Sequence, residues 1–430
     1  MQNPPNWKSK SRRVEETMLN NGVLSKIVYW FRHMTFWKSV LLVLVVAGLY
    51  STYVRFVYGL GAATNLSDKF PWGIWIGFDV LCGVGLAAGG FVVAGAVYVF
   101  HLDYYKPIVR PAVLTAFLGY VLVVFALMFD LGRPWNIWHP LVMWNPHSPM
   151  FELAWCVMLY TTVLAFEFSP MVFERFHLHK AAEVVHKMIV PLVILGVMLS
   201  SLHQSSLGSL YLVMPEKVYP LWYTGNLPFL FFISAVAVGP AMVIMESFLS
   251  SRAFHREIEM PILSKLGKVT AVALAVYLVL RIEDMINYHL FSYLFTFNTE
   301  GILFWAEIMI GVVIPITMLV IPRIRNNKRG LYYAALFAVM GFVLNRMNVS
   351  VTSLERHYGV AYFPSWMEIS VTLMIVAFGF GAFAWAAKNL AVFPESVAAN
   401  EPARGESFEV VVIEDDAPLR GEPSFGMQAK

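Results

Sequence analysis

An all-α, polytopic membrane fold with about ten spans follows from three observations on this sequence. Hydrophobic residues make up 58% of it and charged residues only 14%, against a soluble norm of about 45–50% and 25%. Mean hydropathy is +0.62. The apolar residues fall in runs long enough to cross about 30 Å of hydrocarbon, and only helices and closed barrels satisfy their backbone there. Thirteen Trp and 33 Phe are more rings than a soluble surface hides.

The chain opens with a basic segment, residues 1–36, that is not a cleavable signal: the apolar run after it is too long for an h-region and lacks a small-residue cleavage site. Within it, Val23 to Trp37 mixes Ile27, Val28, Trp30 and Phe31 with Lys26 and Arg32, as an interfacial helix does. The transmembrane region is expected over 37–392, with spans near 37–58, 72–100, 112–130, 151–173, 188–207, 227–248, 269–297, 302–321, 331–349 and 364–392. Asn345 and Arg346 make the exit of the ninth polar. Residues 393–430 are rich in Pro, Gly and acids, with one Val410–Ile413 run, and read as a cytoplasmic tail.

Lys and Arg set the orientation. Roughly two dozen fall on the side of the termini against about five on the other (Lys69, Arg133, Lys217, Arg346, Arg356). Both termini are therefore expected in the cytoplasm, with the chain in the cell's inner membrane. The loops on the opposite side carry Trp72, Trp135, Trp138, Trp144, Tyr211, Tyr219 and Trp222. These rings suit a headgroup belt or a docking surface for an extracytoplasmic subunit. Pro71, Pro149, Pro228 and Pro364 open spans on this side, where a missing N–H costs nothing.

Asp79 stands inside the second run, about 10 Å below Trp72 at 1.5 Å per residue. A charge in lipid costs roughly 2.5–3.5 kcal/mol on insertion scales, so such an acid marks either a polar packing contact or a functional site. Downstream, Gly83, Gly85, Ala87, Ala88, Gly89, Gly90 and Gly95 let helices approach closely. No strand precedes them, as a nucleotide loop requires. Glu152 follows Ser148-Pro149 and reads as a first-turn acid facing the helix dipole, or as part of a site.

The fifth span ends in Ser200, Ser201, His203, Gln204, Ser205 and Ser206. A histidine there both donates and accepts near neutrality, as a quinone carbonyl or quinol hydroxyl demands. Asp130, Arg133 and His139 belong to a neighbouring loop on the same side. Arg281, Glu283, Asp284, His289 and Glu307 form a second polar set, either a salt-bridge network, with Arg281 paired to Asp284 or another acid, or a proton or ion half-path. Glu167 and Glu246 read as interface residues. Cys82 and Cys156 both lie in spans, which leaves no ligand set for an iron–sulfur cluster. His203 and His289 are the clear intramembrane histidines, too few and too separate for bis-His haem.

Several segments resemble a known family. Tyr58-Gly59-Leu60-Gly61, the run FPWGIWIGFDVLCG from Phe70 to Gly83, Val109 to Ala112, Leu202-His203-Gln204-Ser205-Ser206 and Tyr362-Phe363-Pro364 are similar to NrfD/PsrC (polysulfide reductase-type) membrane subunits. The likeness is greatest to the ten-helix branch of the hydrogenase-2 and menaquinone reductase membrane subunits. It implies two four-helix bundles plus peripheral helices, here about 72–207 and 227–349. It further implies a cofactor-free subunit that passes electrons between a periplasmic iron–sulfur protein and menaquinone near the outer face. Further catalytic or cytochrome subunits and membrane lipids would be its partners, and nucleic acid would not. On that reading Asp79 and His203 handle protons and bond the quinone head. Trp72 and Trp75 stack on or wall the ring, and Gln204, Ser205, Glu152, Arg133 and His139 shape the pocket. A proton or ion transporter built on the second polar set is the rival expectation.

Overall fold

A computed structural model describes residues 35–296 and 298–393. Most of the segment read as an interfacial helix, and the tail after 393, lie outside the described residues. The long helices in order are α1 (Phe36–Tyr58), α2 (Trp75–Tyr98), α3 (Lys106–Asp130), α4 (Pro149–Arg175), α5 (His179–Leu212), α6 (Leu227–Phe254), α7 (Met260–Asn287), α8 (Thr299–Val320), α9 (Lys328–Tyr358) and α10 (Trp366–Asn389). Nine of these are long and apolar enough to cross a membrane. The tenth, α7, has 28 residues, about 42 Å at 1.5 Å each, with Lys265 and Lys268 before its apolar middle and Arg281, Glu283 and Asp284 after it. The protein is an all-α, multi-pass membrane protein.

Helices α2, α3, α4 and α5 contact one another in sequence, and α2 also meets α5. Helix α6 contacts α7 and α9, and α8 contacts both α7 and α9. Contacts of α6 with α2 and α5 join the two sets, while α1 pairs with α10 and α10 lies on α3. The ends bearing Trp75, Asp130, Leu212 and Trp366 share one face, called here the loop face; the other is the basic face.

Small residues make the joints, as the glycine spacing predicts. A Cβ on Gly239 of α6 would stand 2.9 Å from the Gly89 nitrogen of α2, and one on Gly341 of α9 only 1.8 Å from Gly311 Cα. Helix α2 is not regular: it opens as a π-turn over Trp75–Val80 and is interrupted between Leu86 and Gly89. Interruptions in a span persist where side chains satisfy the freed backbone, and Gln204 Nε2 donates to the Val84 carbonyl at 3.2 Å.

Three boundaries differ from the sequence reading. Helix α9 does not exit at Asn345; a π-turn over Asn348–Thr352 carries it on to Tyr358, so Arg346 is a fully buried span residue and not a loop charge. Its guanidinium lies over Phe231 at 3.6 Å and Phe342 at 4.3 Å, which offsets its desolvation. Helix α7 begins at Met260 and ends at Asn287, leaving His289 in an exposed turn with φ 53°. Ser148 precedes Pro149 but makes no side-chain cap bond.

Candidate functional site

Asp79 is buried in the π-helical turn of α2. Thr372 Oγ1 of α10 donates to its Oδ2 at 2.7 Å. One turn earlier the Trp75 indole donates to the Glu368 carbonyl of α10 at 3.3 Å. The fully buried Glu368 carboxylate fixes the start of α10. Its Oε1 accepts from the Tyr362 hydroxyl at 2.5 Å, and its Oε2 from the nitrogens of Ser365 at 2.8 Å and Asn65 at 3.0 Å. Burial and this carboxylate push the Tyr362 phenol above its usual range, so it remains a donor at physiological pH. Ring stacking on Phe70 at 5.0 Å and a bond from Ile74 N lock Tyr362 against the chain entering α2.

Beside this contact, Arg55 of α1 donates to the carbonyls of Phe129 and Leu131, both at 2.6 Å. It is an electrostatic neighbour of Asp130, whose buried Oδ1 has no partner. Four helices thus bring Asp79, Asp130, Glu368 and Arg55 to the loop-face end.

His203 belongs to a different cluster. It is the one fully buried histidine among the described residues, and neither ring nitrogen is hydrogen-bonded. Its ring meets Tyr120 of α3 edge-on at 5.6 Å, and Tyr120 meets Tyr160 of α4 at 4.7 Å. Ser200 and Gln204 stand next to the Tyr120 hydroxyl, and Ser200 next to that of Tyr160, without closing hydrogen bonds. Unpaired buried polar atoms cost about 1–3 kcal/mol each by mutational measures, so a cluster of them marks a place built for water, protons or a polar ligand. No hydrogen bond joins Asp79 to His203.

The remaining predicted residues divide between wall and surface. Trp75 is buried against Phe129, and Trp72 is half-buried edge-on to Tyr211. Ser205 is half-buried, and so is His139, whose ring meets Trp138 edge-on at 4.5 Å. Arg133 is exposed. Glu152 is exposed as well, its Oε1 accepting from Ser206 at 2.6 Å.

The second polar set separates in the same way. Glu283 and His289 are exposed, whereas Arg281, Asp284 and Glu307 are buried. Arg281 does not pair with Asp284. Its Nη2 donates to the Leu221 carbonyl at 2.6 Å, while Asn226 donates to Asp284 at 2.9 Å. Glu307 accepts from the Trp222 indole at 2.9 Å, Asn345 at 2.7 Å and Asn348 at 2.9 Å. All three groups therefore anchor the link between α5 and α6. Asn345 also accepts from Arg346 at 2.6 Å, and a cavity of about 20 Å³ lies beside it, lined by Tyr277, Ser234 and Glu307. That is room for one water. The loop rings divide too: Trp135, Trp138 and Trp144 are exposed, while Tyr211, Tyr219 and Trp222 are buried.

Cys82 and Cys156 are free and buried, and no group of three His, Cys, Asp or Glu side chains able to hold a metal occurs among the described residues.

The sequence assigns this many-spanned helical protein to a family of membrane subunits. The family model "Polysulphide reductase, NrfD" matches residues 62–356, and the chain belongs to that family. It is 34% identical over 345 residues to the "Probable Ni/Fe-hydrogenase 2 b-type cytochrome subunit" of Escherichia coli K12, covering 79% of this chain and 88% of that one. It is 30% identical over 395 residues to the "Menaquinone reductase, integral membrane subunit" of Nitratidesulfovibrio vulgaris, covering 85% and 93%. A further protein of that organism is 41% identical over 345 residues, covering 78% and 88%.

Sequence reasoning misses Thr372, Glu368, Tyr362 and Arg55, which complete the Asp79 end, and Tyr120 and Tyr160, which surround His203. Arg55 and Arg346 leave a readable signal: each is a cation inside a run of apolar residues.

Proposed function

We propose that the chain is the quinone-reactive membrane subunit of a respiratory oxidoreductase. Menaquinone takes two electrons and two protons to become menaquinol, or the reverse. The electrons are exchanged with an iron–sulfur partner docked on the loop face, which the Lys and Arg distribution supports as the periplasmic side. The observation that carries the reading is the buried Asp79 carboxylate close to that face, with Oδ2 held by Thr372 and Oδ1 without a hydrogen bond among the described residues. Asp79 bonds the quinone head and handles a proton. Trp72 and Trp75 wall the ring, and His203, with Gln204 and Ser205 on the same helix, holds a second proton in the cluster with Tyr120 and Tyr160. Arg133, His139 and Glu152 polarise the entrance.

Transport is the rival, favoured by the buried series Glu307, Asn345 and Arg346 with its one-water cavity. Reconstitution separates the two. The isolated chain in liposomes is expected to pass no protons under an imposed potential, while the complex purified with its partners is expected to turn over menadione. Proton flux through the isolated chain, without redox turnover in the complex, would overturn the quinone reading.

A further inference from the structure

Asp79 and Thr372 are one rung of a two-rung contact between α2 and α10. Trp75 and Asp79 are four residues apart on α2, and Glu368 and Thr372 are four apart on α10, so each pair shares one helix face. A threonine inside a helix ordinarily turns its hydroxyl back to the carbonyl four residues earlier, as Thr52 and Thr317 do here at 2.7 and 2.8 Å. For Thr372 that carbonyl belongs to Glu368, and it already accepts the Trp75 indole. The Thr372 hydroxyl is instead given to the carboxylate.

Helix α10 is fastened at the same end. A capping box of Ser365 and Glu368 starts it, Tyr362 and Asn65 add donors to Glu368, and Ser370 meets Ser51 of α1 at 2.7 Å. The family match stops at residue 356, so this support comes from a helix outside the matched segment.

We infer that Thr372 is a positioning residue for Asp79, and that α10 is part of the site because it delivers this hydroxyl. The inference rests on the reading of Asp79 as the group at the quinone head. The carboxylate is restrained through one oxygen, and that contact sets the direction of the other. Removing the donor lets the carboxylate turn; keeping the packing leaves the helix in place.

The test compares Thr372→Val, Thr372→Ser and Asp79→Asn in the complex assembled with its partners, with menadione as substrate and KM and kcat measured separately. Loss of a hydrogen bond to a charged group is expected to lower kcat about tenfold in the valine variant, with KM within about twofold. The serine variant is expected to restore kcat, which a role in packing alone would not produce. Wild-type kcat in the valine variant beside a disabled Asp79→Asn complex would overturn the inference and leave the Asp79 reading standing. Wild-type turnover in Asp79→Asn would remove both. If the valine variant does not assemble, Thr372→Ala takes its place, with the same fall in kcat expected and a wild-type kcat again overturning the inference.

Discussion

Asp79→Asn is expected to lower menadione-linked turnover of the assembled complex by about 10²-fold, within the 10²–10⁴ that a positioned acid or base contributes. The amide matches the carboxylate in shape and still accepts from Thr372, so the α2–α10 contact survives. What disappears is the capacity to take up and release a proton. KM for menadione should change little, because asparagine still offers a hydrogen bond to the ring oxygen. The complex should assemble in normal amount, since Asp79 forms no ion pair among the described residues. Steady-state kinetics over a range of menadione concentrations reads both constants. A kcat within twofold of wild type would deprive Asp79 of its role.

Glu307→Leu is expected to be the most destabilising of these substitutions. The carboxylate is buried and accepts from Trp222, Asn345 and Asn348. Leucine would leave the indole without an acceptor and the two amides with only long contacts, to the Tyr277 hydroxyl at 3.4 Å and the Leu303 carbonyl at 3.5 Å. Breaking such a buried charged network costs about 3–5 kcal/mol. The loss has a direction in space: Trp222 belongs to the link between α5 and α6, whose neighbouring Leu221 carbonyl is held by Arg281. Thermal unfolding of the detergent-purified protein should shift down for leucine and much less for Glu307→Gln, which keeps an acceptor oxygen. Equal melting of the leucine variant and wild type would show that the network adds nothing to stability.

The number and order of the helices are legible in the sequence because hydrocarbon imposes a length and a composition on each span. Asp79 and His203 are legible for the same reason, as polar groups in apolar runs. The partners are not. Thr372 lies almost three hundred positions from Asp79, and one hydroxyl in an apolar helix carries no signal of its own. Tyr120 and Tyr160 stand in apolar runs with no charged neighbours in sequence to single them out, although their hydroxyls stand beside Ser200 in the interior. Arg346 is misplaced because polarity near a span end resembles an exit, while the π-turn at Asn348–Thr352 continues the helix past it. Arg281 is expected to pair with Asp284 or another acid; it instead bonds the Leu221 carbonyl, while Asp284 accepts from Asn226, and each holds the α5–α6 link. The aromatic loops read as a class, yet Trp222 is a buried anchor and Trp135 an exposed ring.

Photolabelling tests the quinone site most directly. A naphthoquinone carrying an azide, irradiated in membranes with the assembled complex and mapped by peptide mass spectrometry, is expected to label the α2 turn from Trp72 to Asp79 or the facing turn of α10 around Thr372. Excess menaquinone should suppress that label. Competable label confined to the α6–α9 interior around Asn345, or scattered over the lipid-facing side of α1 and insensitive to menaquinone, would contradict the account.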